Sequence, residues 1–196
     1  MSATTGSMLI ALARQAIADH LGLHANETKT NATKTNAPKI FGTDGLDRHA
    51  ATFVTLTRNG ALRGCIGTLE AHRSLLKDVQ ANAVAAAFHD PRFPPVSAEE
   101  WPTLRTEISV LTAMQPLDAL NEAEACKRIR PGIDGVLLQY HANKGTFLPQ
   151  VWDQLPEATQ FITHLKLKAG LPTDFWHPDV RLFTYQVDKY RQAKNE

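Results

Sequence analysis

An α+β fold with mostly antiparallel sheet is what this sequence predicts, and three observations carry the prediction. Two β-rich runs, Thr52–Arg58 and Ala61–Leu69, flank Asn59-Gly60, the dipeptide that most strongly signals a two-residue hairpin. Further on, Val136–His141 and Thr146–Leu148 flank a turn-like stretch, Ala142–Gly145. Between these hairpins lie segments with apolar residues at helical spacing, and hairpins interspersed with helices make α+β architecture with antiparallel strands.

Residues 1–7 are small and polar and read as a loose tail. Met8–Leu21 follows as an amphipathic helix, with Leu9, Leu12, Ala16, Ile17 and Leu21 on one side and Gly22 as its stop. Asn26–Pro38 carries a five-residue duplication, Thr28-Lys29-Thr30-Asn31-Ala32 and then Thr33-Lys34-Thr35-Asn36-Ala37. Nothing in it can bury apolar surface, so a disordered insertion is expected at about residues 25–38. After the first hairpin, Arg73–His89 is a helix with Leu75, Leu76, Val79, Ala83, Ala86 and Ala87 on its inner side, and Asp90-Pro91-Arg92-Phe93-Pro94-Pro95 ends it. Arg105–Leu111 alternates as a strand, Ala119–Lys127 is helical, and Pro156–Ala169 is a helix stopped by Gly170. Arg181–Val187 is the last strand, and residues 191–196 read as a second loose tail after a domain spanning 8–190.

The bulk numbers narrow the function classes. At 196 residues the chain fits one domain, or one domain with two lobes, and can bury a core without metal or disulfide staples. A formal charge of +1 offers no electrostatic case for nucleic acid or a membrane surface. No stretch is long and apolar enough to span a bilayer, and Met8–Leu12, broken by Arg14, Gln15 and Asp19, lacks the basic start of a signal peptide. The two cysteines, Cys65 and Cys126, make no disulfide framework, which points to a reducing cytoplasm. The eight histidines show no tight metal spacing, and no phosphate-binding loop, dinucleotide fingerprint or iron–sulfur set is present, so neither metal nor cofactor is expected.

The chemistry concentrates in Leu62-Arg63-Gly64-Cys65-Ile66-Gly67-Thr68. In a regular strand, Leu62 and Ile66 facing the core would send Arg63, Cys65 and Gly67 to the other face. Arg63 and Cys65 would then be same-face neighbours about 7 Å apart, and a guanidinium beside a thiol favours the reactive thiolate. Gly67 would leave room for a ligand or another backbone. The competing reading makes Cys65 a small buried hydrophobe and the glycines packing devices beneath a helix. Glu107, in Thr106-Glu107-Ile108-Ser109-Val110, could pair with Arg63 or act as a general base, or be an exposed strand carboxylate. Asp90 with Arg92 reads as a cleft-rim pair or as a surface salt bridge at a helix-ending turn. His141, and after it His89, are the candidate partners for Cys65.

Phe53-Val54-Thr55-Leu56 and Leu62–Thr68 together resemble the motif that defines the AMMECR domain family. Later blocks agree in order: Ala85-Ala86-Ala87-Phe88 with Asp90, Arg92-Phe93 and Pro95; Glu107–Leu111; Gly132 with Asp134-Gly135; Phe147-Leu148-Pro149-Gln150-Val151; and Lys168-Ala169-Gly170-Leu171. The resemblance runs from the first helix to the last strand, apart from the duplicated insertion. It implies a two-lobed fold with the signature strand near a cleft between lobes. It also implies kinship with systems that place such a domain beside a Memo-type protein and a radical-SAM enzyme. One departure is Lys144, which stands where the family more often has arginine and lacks arginine's bidentate fork.

The expected site therefore comprises Cys65, Glu107 and His141 as catalytic residues. Arg63, Gly64, Gly67, Thr68, Asp90, Arg92, Lys144 and Gln150 are expected to bind the ligand. The first functional expectation is a cytoplasmic enzyme or enzyme component acting on a small anionic or electrophilic metabolite. The second is a non-catalytic binding module for a peptide or for a Memo-type or radical-SAM partner.

Overall fold

The computed structural model describes residues 3–23 and 45–192; the insertion expected at about 25–38 lies outside them. Four helices and two four-stranded antiparallel sheets are present among the described residues. The chain divides into two compact units, Met1–Val110 with Asp188–Glu196, and Leu111–Val187.

The first unit packs α1 (Ala3–His20) and α2 (Leu75–Phe88) on a sheet of strand order β2-β1-β3-β8. Its strands are β1 (Thr52–Arg58), β2 (Ala61–Gly67), β3 (Leu104–Leu111) and β8 (Val187–Arg191). The hairpin between β1 and β2 turns as the sequence predicts: Asn59 and Gly60 both take positive φ, 51° and 83°, the pair of left-handed residues that matches strand twist. Ser74 caps α2 by accepting a hydrogen bond from the Lys77 N–H. Leu75, Val79, Ala83, Ala86 and Ala87 of α2 are buried against Val54, Leu56 and Ile108 of the sheet. The small side chains let helix and sheet come close. A Cβ on Gly64 would stand 2.1 Å from the Ala86 carbonyl oxygen, so the glycine at that position is a condition of the packing.

Three expectations change in this unit. First, β2 is bulged. Gly64 lies opposite Leu56 but Leu62 lies opposite Thr57, so Arg63 is the extra residue. The alternation is reset there. Ile66 packs on the core as expected, whereas Leu62 turns out to solvent and is 44% exposed. Second, the helix does not wait for residue 8. α1 begins at Ala3, and Gly6 lies so close to the Tyr190 ring that a Cβ there would be 2.3 Å from it. Third, the end of the chain is tied down at Gln192. Its side-chain oxygen accepts from Arg14 and from the Thr106 N–H, and its own N–H donates to the Thr106 carbonyl. Polar composition made the stretches around Gly6 and Gln192 look loose; tertiary contacts hold both.

The second unit packs α3 (Glu122–Arg128) and α4 (Ala158–Lys168) on a sheet of order β4-β7-β5-β6, formed by Gln115–Leu117, Arg181–Tyr185, Gly135–Tyr140 and Asn143–Phe147. Trp152 stacks on Phe161 with ring centroids 3.8 Å apart, at the centre of a core that includes Val136, Leu138, Ile162, Leu165 and Leu182. The single strand expected at Arg181–Val187 is two strands, β7 and β8, which belong to different sheets. The short edge strand β4 carried no periodic signal. α3 starts later than expected because Asn121 is its cap, accepting from the Glu124 N–H at 2.9 Å. The second hairpin turn is tighter than Ala142–Gly145. It consists of His141 and Ala142, and Gly145 lies within β6 against Ala169.

Candidate functional site

The bulge decides which way Cys65 points. Counting pairs from Arg58 opposite Ala61, an unbulged hairpin would set Cys65 opposite Val54, on the face packed against α1 and α2. With Arg63 as the extra residue, Cys65 lies opposite Thr55 instead, on the other face. Thr55 in turn lies opposite Glu107 of β3. Cys65, Thr55 and Glu107 therefore form one row across three strands, on the face away from the helical core. Cys65 is half-buried, and its Sγ is 3.2 Å from the Thr55 hydroxyl oxygen. Glu107 is not paired with Arg63; its carboxylate accepts from Arg191 Nε at 2.5 Å. The hydrogen bond to Glu107, reinforced by its negative charge, raises the Arg191 guanidinium above its ordinary value.

The backbone of Cys65 is clamped from its other side. Asp90 accepts the Cys65 N–H at 2.8 Å, and Arg92 donates to the Cys65 carbonyl at 3.2 Å. The two clamping residues also bind one another, with Arg92 Nη2 2.7 Å from Asp90 Oδ2. Asp90 is 4% exposed while Arg92 stays exposed, so the pair at the turn after α2 rests on a buried carboxylate. The Arg92 guanidinium, helped by the Cys65 and Arg92 N–H groups, holds the Asp90 carboxyl far below the usual carboxylate range despite its burial. β2 is an edge strand, and this pair satisfies edge groups that would otherwise be open. Arg92 is the cation that reaches the Cys65 backbone, whereas Arg63 is turned to Glu100.

Arg63 is engaged elsewhere. Its Nε and Nη2 donate to the two carboxylate oxygens of Glu100 at 2.7 and 2.9 Å, and Nη2 also reaches the Pro94 carbonyl. This bidentate contact pulls the Glu100 carboxyl below its ordinary value. Arg63 Nη1 is buried with no hydrogen-bond partner among the described residues. Arg58, Leu62, Arg63, Pro94, Ser97 and Glu100 line an open depression of about 830 Å³.

Two expected ligand-facing positions prove to be filled. A Cβ on Gly67 would collide with the Phe53 ring at 2.2 Å, so the space beside Gly67 is occupied by the protein itself. Gly64 is likewise covered by α2. Thr68 donates to the Asp78 carboxylate, which also accepts from Thr52, Arg73 and Asn82. Asp78 is fully buried, and this network joins α2 to β1 and to the end of β2. Thr55, Asp78, Asn82, Glu100 and Arg191 were not singled out from the sequence. The polar Asp78 and Asn82 on the otherwise apolar face of α2 were the legible signal, since a polar residue on a core face needs a buried partner.

His141, Lys144 and Gln150 belong to the second unit. His141 is exposed at the β5–β6 turn with φ +50°, its ring edge-on to Tyr140 at 4.3 Å. Lys144 is exposed on β6, opposite Gln139. Gln150 sits in a 3₁₀ turn, Pro149–Asp153, and its Oε1 is buried without a hydrogen-bond partner among the described residues. His89 is exposed at the end of α2. Among the described residues, no three His, Cys, Asp or Glu side chains stand close enough to hold a metal ion. No helix among them is long and apolar enough to cross a membrane.

Comparison with known proteins places these features in context. The AMMECR1 family model matches residues 10–190. A protein of Methanothermobacter thermautotrophicus is 35% identical over 198 residues, covering 98% of this chain and 96% of its own length. A protein of Sulfurisphaera tokodaii is 35% identical over 196 residues, with 96% of this chain and 83% of its own length covered. Among solved structures, the crystal structure of the uncharacterized protein PH0010 from Pyrococcus horikoshii has a TM-score of 0.77 at 31% identity. The match covers 94% of this chain and 89% of that one.

Proposed function

The chain belongs to the AMMECR1 family, and from that premise we propose that its site is a thiol site on the first sheet, acting on a small electrophilic or anionic metabolite. The observation that carries this reading is the row Cys65–Thr55–Glu107. The Thr55 hydroxyl lies against the Cys65 sulfur, and Glu107, held by Arg191, is the carboxylate next along the row. The Arg92 guanidinium, at the Cys65 carbonyl, is the positive charge beside this residue, the part that Arg63 was expected to play. The Asp90–Arg92 clamp fixes the backbone that carries the thiol, which is the kind of support a reacting group requires.

The test is the alkylation rate of Cys65 by iodoacetamide at neutral pH, in a Cys126→Ser background. Cys65 is expected to react faster than Cys126 does in the reciprocal variant, because burial pushes the Cys126 thiol up. Thr55→Val, Glu107→Gln and Arg92→Ala should each slow Cys65 several-fold. A Cys65 that reacts no faster than Cys126, or whose rate ignores all three substitutions, would end the thiol proposal.

A second reading rests on a different observation. The depression lined by Arg58, Leu62, Arg63 and Glu100 combines an exposed leucine with an exposed arginine, Arg58. Those groups suit the docking of a protein segment that offers an apolar side chain beside a carbonyl or carboxylate. The proposed partner is the Memo-type or radical-SAM protein that the family resemblance suggests. Leu62→Asp should then abolish co-elution with the purified partner and leave Cys65 alkylation unchanged; unchanged co-elution would remove this reading.

A further inference from the structure

The second unit carries a group of side chains that the thiol reading does not use. At one end of its sheet, Gln139, His141, Pro178, Asp179 and Arg181 line a cavity of about 440 Å³. That volume lies within the range of small-molecule sites. Arg181 on β7 and Lys144 on β6 both lie directly opposite Gln139 on β5, so the three side chains share one face of the sheet. His141 follows at the turn that closes β5 and β6.

The position of His141 is the unusual feature. A two-residue hairpin with positive φ at its first residue is the natural place for glycine, which adopts that backbone at no steric cost. Here an imidazole occupies it at φ +50°, packed edge-on to Tyr140, whose ring in turn packs on Phe175 and His177. The ring is thus propped at the mouth of the cavity by an aromatic cluster. Arg181 offers a planar fork of N–H donors, and Gln139 and His141 add donors beside it. Asp179 is the one acid in the lining. Its N–H donates to His177 Nδ1 at 3.1 Å, which orients the loop that presents the carboxylate.

We propose that Gln139, His141 and Arg181 form a binding site for a small oxyanion, the phosphate or carboxylate group of a hydroxylated metabolite. The anionic group sits on the Arg181 fork with His141 and Gln139 donating to it. Asp179 accepts from a neighbouring hydroxyl of the ligand, which favours a polyhydroxylated anion over a bare ion. The site stands independently of the Cys65 row, because every residue in it comes from the second unit.

The experiment follows backbone amide shifts of residues 139–142 and 179–181 by NMR. Inorganic phosphate, glycerol 3-phosphate and glycerate are titrated separately at constant ionic strength, with chloride as the control. Saturable shifts at those amides are expected with glycerol 3-phosphate, glycerate or both, tighter than with inorganic phosphate; the tighter of the two organic anions identifies the group bound. Arg181→Gln should weaken binding at least tenfold. His141→Gly should do two opposite things: raise the unfolding midpoint, by removing a side chain from a left-handed position, and weaken binding. That pair of effects separates a ligand-holding residue from a structural one and does not depend on Arg181→Gln folding well. Shifts that match the chloride control, or binding untouched by His141→Gly, would overturn the proposal.

Discussion

At the scale of single residues, the most informative side chain is Asp90. It is buried, yet it carries a full charge because four donor contacts meet its carboxylate: the N–H groups of Cys65 and Arg92, and two from the Arg92 guanidinium. Its folded-state pKa is depressed below the unfolded value of about 3.9, so its contribution to stability is present above that value and is lost as pH falls toward the folded one. Asp90→Asn should therefore cost about 2–3 kcal/mol at neutral pH, the worth of charge-assisted hydrogen bonds to a buried group. The same substitution should flatten the loss of stability below about pH 4. Urea unfolding of both proteins across pH 2–7 checks this; parallel curves would show that Asp90 contributes no pH-dependent stability. The sequence displayed Asp90 beside Arg92 and so displayed the pair. It could not display the Cys65 N–H that the carboxylate accepts, which lies 25 positions away.

At the scale of elements, the β1–β2 hairpin and α2 form one tightly fitted piece. Gly64→Ala sets a methyl group against the Ala86 carbonyl, and neither backbone can yield cheaply. The expected cost is about 3 kcal/mol, measured as a shift of the denaturation midpoint, although glycine-to-alanine in a strand would otherwise be mildly stabilising. The hairpin makes a second, contrasting pair of predictions. Leu62→Ser should change stability by less than about 0.5 kcal/mol, because Leu62, opposite Thr57 beside the turn, faces solvent. Val54→Ala, fully buried on the neighbouring strand, should cost about 2 kcal/mol. A large loss for Leu62→Ser would mean that Leu62 packs on the core instead of facing solvent. The hairpin was legible from Asn59-Gly60, since its turn chemistry is local. The bulge was not, because nothing in the residue types of β2 marks Arg63 as the unpaired one; register is set by pairing across strands.

At the scale of the molecule, each unit owns a core. Leu9, Ile17, Val54, Leu75, Val79 and Ile108 belong to the first, and Val136, Leu138, Trp152, Phe161 and Leu165 to the second. Phe161 stacks on Trp152 and also meets Phe147 edge-on, so Phe161→Ala removes two aromatic contacts and leaves a cavity. A loss of about 3–5 kcal/mol is expected. Hydrogen exchange should place that loss in α4, β5 and β6, the elements packed around Phe161, and Trp152 fluorescence should report it. Exchange protection of α4 that survives the substitution would contradict this account of the second core. The helices and hairpins of both units were legible, because apolar spacing at 3.6 or 2 residues is written along the chain. The split of the last strand into β7 and β8, and the short strand β4, were not. Both depend on which sheet offers a free edge, and that is known only once each sheet exists.

The sequence by itself determined the α+β class, the hairpin at Asn59-Gly60, the three long helices and the strand that bears Cys65. These follow from turn chemistry and apolar periodicity, which act over a few residues. Only the tertiary structure decided what that strand does. One unpaired residue, Arg63, moves Cys65 from a position opposite Val54 to one opposite Thr55, and so from the helical core to the row that leads to Glu107. It also decided the pairing of charges: Arg63 with Glu100, Glu107 with Arg191, and Arg92 with Asp90 at the backbone of Cys65. The reason is physical: strand parity is a local rule that one extra residue reverses, and ion pairs are chosen by distance in space, which the order of residues along the chain does not record.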